Sequence, residues 1–388
     1  MIKTEDKLMM MPGPVEVPPR VLMAMARPMI NHRGKEFSAI YDYCQNMSAS
    51  LFGTSPENIS IISGSGTAGM EAAIGSLNNK DDKILAIENG KFGQRFKKLA
   101  GKYGNVVPLE FEWGKSVDLA LVEEKLEAGD IKSIAMVHNE SSTAIRNPAA
   151  EIGALAKKYG AYFILDIISS AGGDDIRADE WNVDIAITGS QKCIAAPPGI
   201  AIVSANERAR LEMENVKTRP YYLDLAAYHK SASKELKETP YTPAVSLFFA
   251  LQEALKIIEE EGLDKRIERH YLMTKAVRDS VTAIGIEMFP QLNESSAYSN
   301  TVSAMKAPAG INGEDIKKAL GKRGIIITGG QDELKGVIFR IGSMGATTPT
   351  NVMTTLTELE HVLHDMGAIE HTGAVMNIAS KTMEKLYD

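Results

Sequence analysis

The chain reads as an α/β protein. A large region on a mostly parallel, seven-stranded sheet is expected, followed by a smaller α+β region. Two observations predict this. From about residue 59, short apolar runs alternate with helix-length segments, the pattern of buried strands linked by crossover helices. Around Pro240–Pro243 the composition changes and longer helical stretches take over. Length agrees, because 388 residues exceed what a single hydrophobic core ordinarily serves.

Pro12, Gly13, Pro14, Pro18 and Pro19 punctuate the first segment, which predicts an irregular arm over 1–20. Its apolar run Leu8–Met11 is a candidate subunit interface. The large domain is expected over 21–262. Its strands are predicted at Ile59–Ile62, Ile84–Ile87, Val106–Leu109, Ser133–Val137, Tyr162–Leu165, Ile185–Thr188 and Ile200–Val203, with a helix at Ala149–Tyr159. A long helix from about Ala244 to Glu261 is closed by Gly262. The small domain, 263–388, follows with a helix over Arg266–Ile284, a strand at Thr301–Ala304 and a helix near Glu314–Leu320. Strands at Ile325–Thr328 and Val337–Ile341 and terminal helices complete it.

Composition excludes several classes of function. An apolar fraction of 44% and a charged fraction of 24% are ordinary for a globular protein. The formal net charge is −7 with no basic tract, which argues against nucleic acid and acidic membrane surfaces as partners. Cys44 and Cys193 are the only cysteines, too few for a disulfide framework. The charged start and the short Leu8–Met11 run do not make a signal peptide, and no window approaches a membrane span. A soluble cytoplasmic protein is the expectation.

Three features carry chemistry. Ser63-Gly64-Ser65-Gly66-Thr67 follows one apolar run and opens a helical pattern. Small residues there let a ligand approach the backbone, and the free N–H groups of the helix start face an anion. Asp166 ends another run, where ligands bind in α/β sheets. Gly189-Ser190-Gln191-Lys192 follows a third, and a lysine in a partly desolvated crevice suits Schiff-base chemistry. Phosphate loop, strand-end acid and strand-end lysine, in that order, point to a pyridoxal-phosphate site. His361 and His364 lie three apart beside Glu360 and Asp365, but a solvated helix face explains them better than a metal site. Cys193 reads as a small buried packing residue.

Further stretches make the pattern specific. They are Pro12-Gly13-Pro14, His32-Arg33-Gly34, Gly64–Thr67 with Glu71, and Asn89–Arg95. Glu140-Ser141-Ser142-Thr143, Asp166, Gly189–Lys192, Pro197–Gly199, Thr242-Pro243 and Arg340-Ile341-Gly342 continue the series. In this order the chain, from Pro12 to about residue 365, resembles the alanine–glyoxylate/serine–pyruvate aminotransferases. These are a class V branch of the fold-type I pyridoxal-phosphate enzymes.

The resemblance implies an aminotransferase that moves an amino group between a small amino acid (alanine, serine or aspartate) and a 2-oxo acid (glyoxylate, pyruvate or 2-oxoglutarate) in a ping-pong cycle. It implies that Lys192 holds the cofactor aldehyde and moves the proton, and that Asp166 pairs with the pyridine nitrogen. Ser65, Gly66, Thr67 and Gln191 would bind the phosphate, with Thr242 reaching it from the partner of a homodimer. Phe92 would stack on the ring, Ser141 would lie near its hydroxyl, and Arg340 would clamp the substrate carboxylate. The chain departs from the family pattern at Phe92, often Trp, at Ala144, usually Gly, and at Thr239, often aromatic.

Rival readings are a phosphoserine-type aminotransferase, a lyase on the same scaffold, or a non-catalytic complex subunit. Cysteine desulfuration fits poorly, because Gln191 precedes the lysine and no cysteine follows Cys193.

Overall fold

The computed structural model describes residues 7–386. Its large sheet contains β1 (Ile59–Ser63), β2 (Lys83–Glu88), β3 (Asn105–Glu110), β4 (Ile131–Val137), β5 (Tyr162–Asp166), β6 (Ile185–Gly189) and β7 (Ile200–Ala205). Their order across the sheet is β1-β7-β6-β5-β4-β2-β3. The pairings from β6 to β3 are parallel, whereas β7 runs antiparallel to both β6 and β1. All predicted strands of this region are present. The reversal of β7 follows from its short connection, since residues 190–199 lead straight from β6 into it and a parallel return would need a long crossover.

Every residue of β6 and β7 is buried, which explains why these strands read as continuous apolar runs. Helices α1 (Gly66–Leu77), α2 (Lys91–Tyr103) and α3 (Ala149–Tyr159) connect or cover the strands. Helix α3 matches its expected bounds and stops at Gly160 with φ 72°, a left-handed C-cap that glycine adopts readily. The six strands other than β7 point the same way, so Ser63, Val137, Asp166 and Gly189 all end at one edge of the sheet.

Helix α4 (Val245–Glu261) packs on this large region, and α5 (Leu263–Ala283) leads into the second one. There β8 (Val302–Lys306), β9 (Thr328–Gly329) and β10 (Ile338–Gly342) form an antiparallel sheet in the order β8-β10-β9. Helices α6 (Gly313–Lys322) and α7 (Pro349–Asp365) cover it. Thr348 and Asn351 form a reciprocal capping box at the start of α7, with Pro349 in its first turn. No described helix is long and apolar enough to cross a membrane.

Three expectations need correction. The strand expected over Ile325–Thr328 is split: Ile325–Ile326 pairs with Leu8–Met9, and only Thr328–Gly329 joins β10. The Leu8–Met11 run is not simply exposed apolar surface, although Leu8, Met9 and Met11 stay partly exposed. It supplies a strand beside Ile325–Ile326 and buries Met10 completely in the core with Met273, Phe339 and Ile341. The Met10 N–H donates to Ile326 O at 2.8 Å, and Met10 O accepts from the Gly342 N–H at 2.8 Å. Finally, Glu360 is not on a solvated face. It is buried, and its carboxylate accepts the N–H groups of Gly373, Ala374 and Val375 at the next helix start. His361 and His364 stay about half-exposed.

Candidate active site

The site forms where β1, β4, β5 and β6 end. Ser65, Gly66, Thr67, Phe92, Asp166, Gln191 and Lys192 line one cavity with Val137, Arg95, Asn139, Ile168 and Ser169. Seven residues singled out from the sequence are thus brought together from segments more than 120 positions apart. Ser141 and Arg340 stand beside this group and touch each other, the Arg340 Nη1–H donating to Ser141 O at 2.7 Å. Thr242 is exposed and does not line the cavity of its own chain. Thr239 is buried, with its hydroxyl donating to Tyr241 O at 2.6 Å. Ala144 takes φ 63°, a left-handed conformation that accounts for a glycine preference there.

Lys192 is buried, in the turn after β6. Its ammonium donates to Pro12 O and lies 5.9 Å from the centre of the Phe92 ring. The arm leaves it just enough room: a Cβ on Gly13 would stand 2.7 Å from Lys192 Cδ. Desolvation lowers the Lys192 pKa from its ordinary 10.5 to about 8, against the opposing pull of Cys193 and Asp166. Asp166, at the end of β5, is raised from 3.8 to about 7, first by burial and then by the neighbouring Glu140 carboxylate. The Ile168 N–H, donating at 2.7 Å, and the charges of Lys192 and Arg95 work the other way. An amine and an acid are thus both shifted toward neutrality in one crevice, a feature common where side chains take part in chemistry.

Arg340, on β10, is also buried, and burial lowers its pKa to about 10. Its Nε and Nη2 donate to Gly329 O at 3.0 and 2.8 Å. The guanidinium is therefore held by carbonyls alone, with no carboxylate partner in its hydrogen bonds.

Arg95 was given no role from the sequence. It lies one helical turn after Phe92 on α2, with its guanidinium 4.8 Å from the centre of that ring and Nη1 donating to Thr67 Oγ1 at 3.3 Å. The i, i+3 spacing was the available signal. Asn139 was also missed, although it lies two residues past the end of β4.

Pyridoxal phosphate can be tested against these groups. Ser65 caps α1 with no side-chain hydrogen bond, which leaves the helix start open to an anion. Gln191 Oε1, Asn139 Oδ1 and Ser141 Oγ are buried without hydrogen-bond partners among the described residues, so each is open to a polar ligand or a water. A Cβ at Gly66 would stand 2.6 Å from Ile168 Cδ1, so a larger residue there would have to displace that side chain in the cavity wall. The residues fit the group.

The sequence matches the Aminotransferase class-V family over residues 20–347. It is 42% identical to an uncharacterized aminotransferase of Methanocaldococcus jannaschii over 94% of this chain and 95% of that protein. It is 34% identical to a protein named as the small subunit of a soluble hydrogenase from Synechococcus, over 98% of this chain and 99% of that one. The ureidoglycine–glyoxylate aminotransferase of Bacillus subtilis has a similar crystal structure, with a TM-score of 0.91 and 33% identity over 97% of this chain and 98% of that one.

Proposed function

We infer the reaction from one premise: the chain belongs to the class V aminotransferases. It is an aminotransferase, and its fold implies dependence on pyridoxal phosphate. We propose that it moves an amino group between a small amino acid (alanine, serine or aspartate) and a 2-oxo acid. Glyoxylate comes first among the acceptors, ahead of pyruvate and 2-oxoglutarate, because a relative of the same architecture is named for it. The observation that carries this reading is the buried Lys192–Asp166 pair at the sheet edge, ringed by unpartnered polar atoms.

Ser65, Gly66, Thr67 and Gln191 would hold the cofactor phosphate, Asp166 its pyridine nitrogen, Ser141 its ring hydroxyl and Phe92 one face of its ring. When bound, the cofactor supplies an electron sink for the α-carbon of the amino acid. Lys192 carries the proton at that carbon, a task suited to an amine whose charge burial has destabilised. Arg340 binds the substrate α-carboxylate through paired N–H donors. The backbone at Pro12 and Gly13 covers Lys192 and excludes water from its amine.

We also propose a homodimer with shared sites, in which Thr242 reaches the phosphate of the partner. Exposed apolar side chains at Met23, Met29 and Tyr221, at 74%, 66% and 84% exposure, support a covered face. Two unpaired, buried cysteines favour a cytoplasmic setting. The division into an arm (1–20), a large domain (21–262) and a small domain (263–388) is supported by separate apolar cores, although Met10 of the arm packs in the core of the small region.

A panel of amino donors and oxo acids, run with cofactor-loaded protein, tests the reaction. Turnover of a small amino acid with glyoxylate is expected. A yellow protein that turns over no donor–acceptor pair would favour the complex-subunit reading, for which the hydrogenase-named relative is the motive.

A further inference from the structure

One buried carboxyl group in this region, itself pushed up by burial, was given no contact with cofactor or substrate above. Glu140 has no exposed surface, yet its carboxylate gathers four hydrogen bonds. Oε2 accepts from the Phe92 N–H at 3.0 Å and the Gly93 N–H at 2.9 Å. Oε1 accepts from the Ser142 N–H at 3.1 Å and from the Ser142 hydroxyl. Ser142 Oγ in turn accepts the Lys91 N–H at 2.9 Å.

These contacts complete a helix that cannot cap itself. Helix α2 begins after Gly90, which has no side chain to accept the first N–H groups. Glu140 and Ser142, some 50 residues later in the chain, accept the N–H groups of Lys91, Phe92 and Gly93 instead. A carboxylate at a helix N-terminus is also favoured by the helix dipole. Close approach requires glycine at 90, because a Cβ there would lie 2.4 Å from Glu140 Cγ.

The helix so held carries Phe92 and Arg95, both of which line the cavity. The residue between the two capping side chains, Ser141, accepts from Arg340 through its carbonyl. The 140–142 turn is therefore a joint. Its side chains fix the helix bearing the aromatic face, and its backbone fixes the clamp.

We propose that Glu140 is a positioning residue: as a cap supplied from a distant segment, it sets where Phe92 and Arg95 stand against the cofactor ring. This rests on the pyridoxal-phosphate reading of the cavity. Glu140 also adds to the negative charge near Asp166, whose carboxyl it pushes up, so its loss should alter the electrostatics of the site as well as its shape.

The test uses Glu140→Gln, which keeps the volume but replaces one acceptor oxygen with an amide NH2. Three readouts besides activity apply: amide hydrogen exchange at residues 91–95 of the apo protein, the cofactor dissociation constant, and the visible circular dichroism of bound cofactor, which reports the handedness of the ring's surroundings. Faster exchange, roughly tenfold weaker cofactor binding and an altered dichroic band are expected. The fall in kcat should exceed the change in KM. A variant with a lower Tm but wild-type cofactor affinity, dichroism and kcat would show that Glu140 only stabilises the fold, and would overturn the proposal. Should Glu140→Gln not fold, Ser142→Ala removes the Lys91 cap and one Glu140 partner, and the same readouts decide. If the wild-type protein takes up no cofactor, the reading of the cavity itself fails, which is a different result from unchanged variants of a binding protein.

Discussion

Lys192 and Asp166 solve the burial of charge in one way and Arg340 in another. The first two come from ends of the large sheet and are each pushed toward neutrality, one to about 8 and the other to about 7. Arg340 comes from the small region, still titrates at about 10, and is held by the carbonyls of Gly329 and Ser141. A group that must exchange protons gains from a pKa near neutrality. A group that must grip a carboxylate gains from a fixed charge and a rigid fork of donors. On the proposed reading the large region supplies reactivity and the small region supplies recognition, so lesions on the two sides should differ in kind as well as in size.

The largest effect is expected from Lys192→Ala. Without that amine no group in the cavity can take its place at the reacting carbon, and turnover should vanish. The yellow, borohydride-sensitive form of the protein should disappear as well. Near-wild-type transamination by this variant would place the chemistry on another lysine. Asp166→Asn comes next. The fold should persist, because the amide can still accept from the Ile168 N–H. A neutral amide cannot keep a pyridine nitrogen protonated, so kcat at saturating cofactor should fall on the order of 10²-fold. Loss of cofactor affinity with an unchanged kcat would reduce Asp166 to a binding residue.

On the recognition side, Arg340→Lys should raise KM for every amino and oxo acid tested, by about tenfold, with a smaller change in kcat. The effect should be general because the α-carboxylate is common to all of them. An effect confined to one substrate would mean that Arg340 contacts a side chain, and the division of labour between the regions would have to be redrawn.

The same comparison explains what the sequence revealed. The strands of the large sheet were legible because β6 and β7 are buried on both faces and so appear as unbroken apolar runs. Lys192 and Asp166 were legible because each follows such a run directly. The remainder depended on contacts between distant positions. Nothing local marks Glu140 as the cap of α2, since the donors lie 47 and 48 residues away. The Leu8–Met11 run looked like exposed apolar surface only because its partner, Ile325–Ile326, is more than 300 residues further on. The helix Ala149–Tyr159, by contrast, is closed by the adjacent Gly160, and there the expected and observed bounds agree.

The smallest expected effect concerns pH, and it separates the two regions by cofactor uptake rather than by turnover. With a pKa near 8, Lys192 has about a tenth of its amine free at pH 7, against about one part in three thousand for a lysine at 10.5. Uptake of pyridoxal phosphate by apo protein, trapped with borohydride, should therefore climb with pH and level off above about 8. The same shift sets a stability term. Between about 8 and 10.5 the unfolded chain holds a proton on this lysine that the folded chain lacks. Apo stability should rise with pH across that window, and the cost of burying the ammonium should be fully present below it. Asp166 acts at the other end. Its folded form keeps a proton between 3.8 and about 7, so its contribution declines as pH rises through that range. Asp166→Asn should remove this acidic term and, because the Asp166 charge favours the Lys192 ammonium, shift the uptake plateau to lower pH. Arg340→Lys should leave the uptake profile nearly where it was if the substrate clamp is separable from the amine. An uptake curve still climbing toward 10.5 in the wild-type protein would show an ordinary lysine, and the contrast between the two regions would fail at its base.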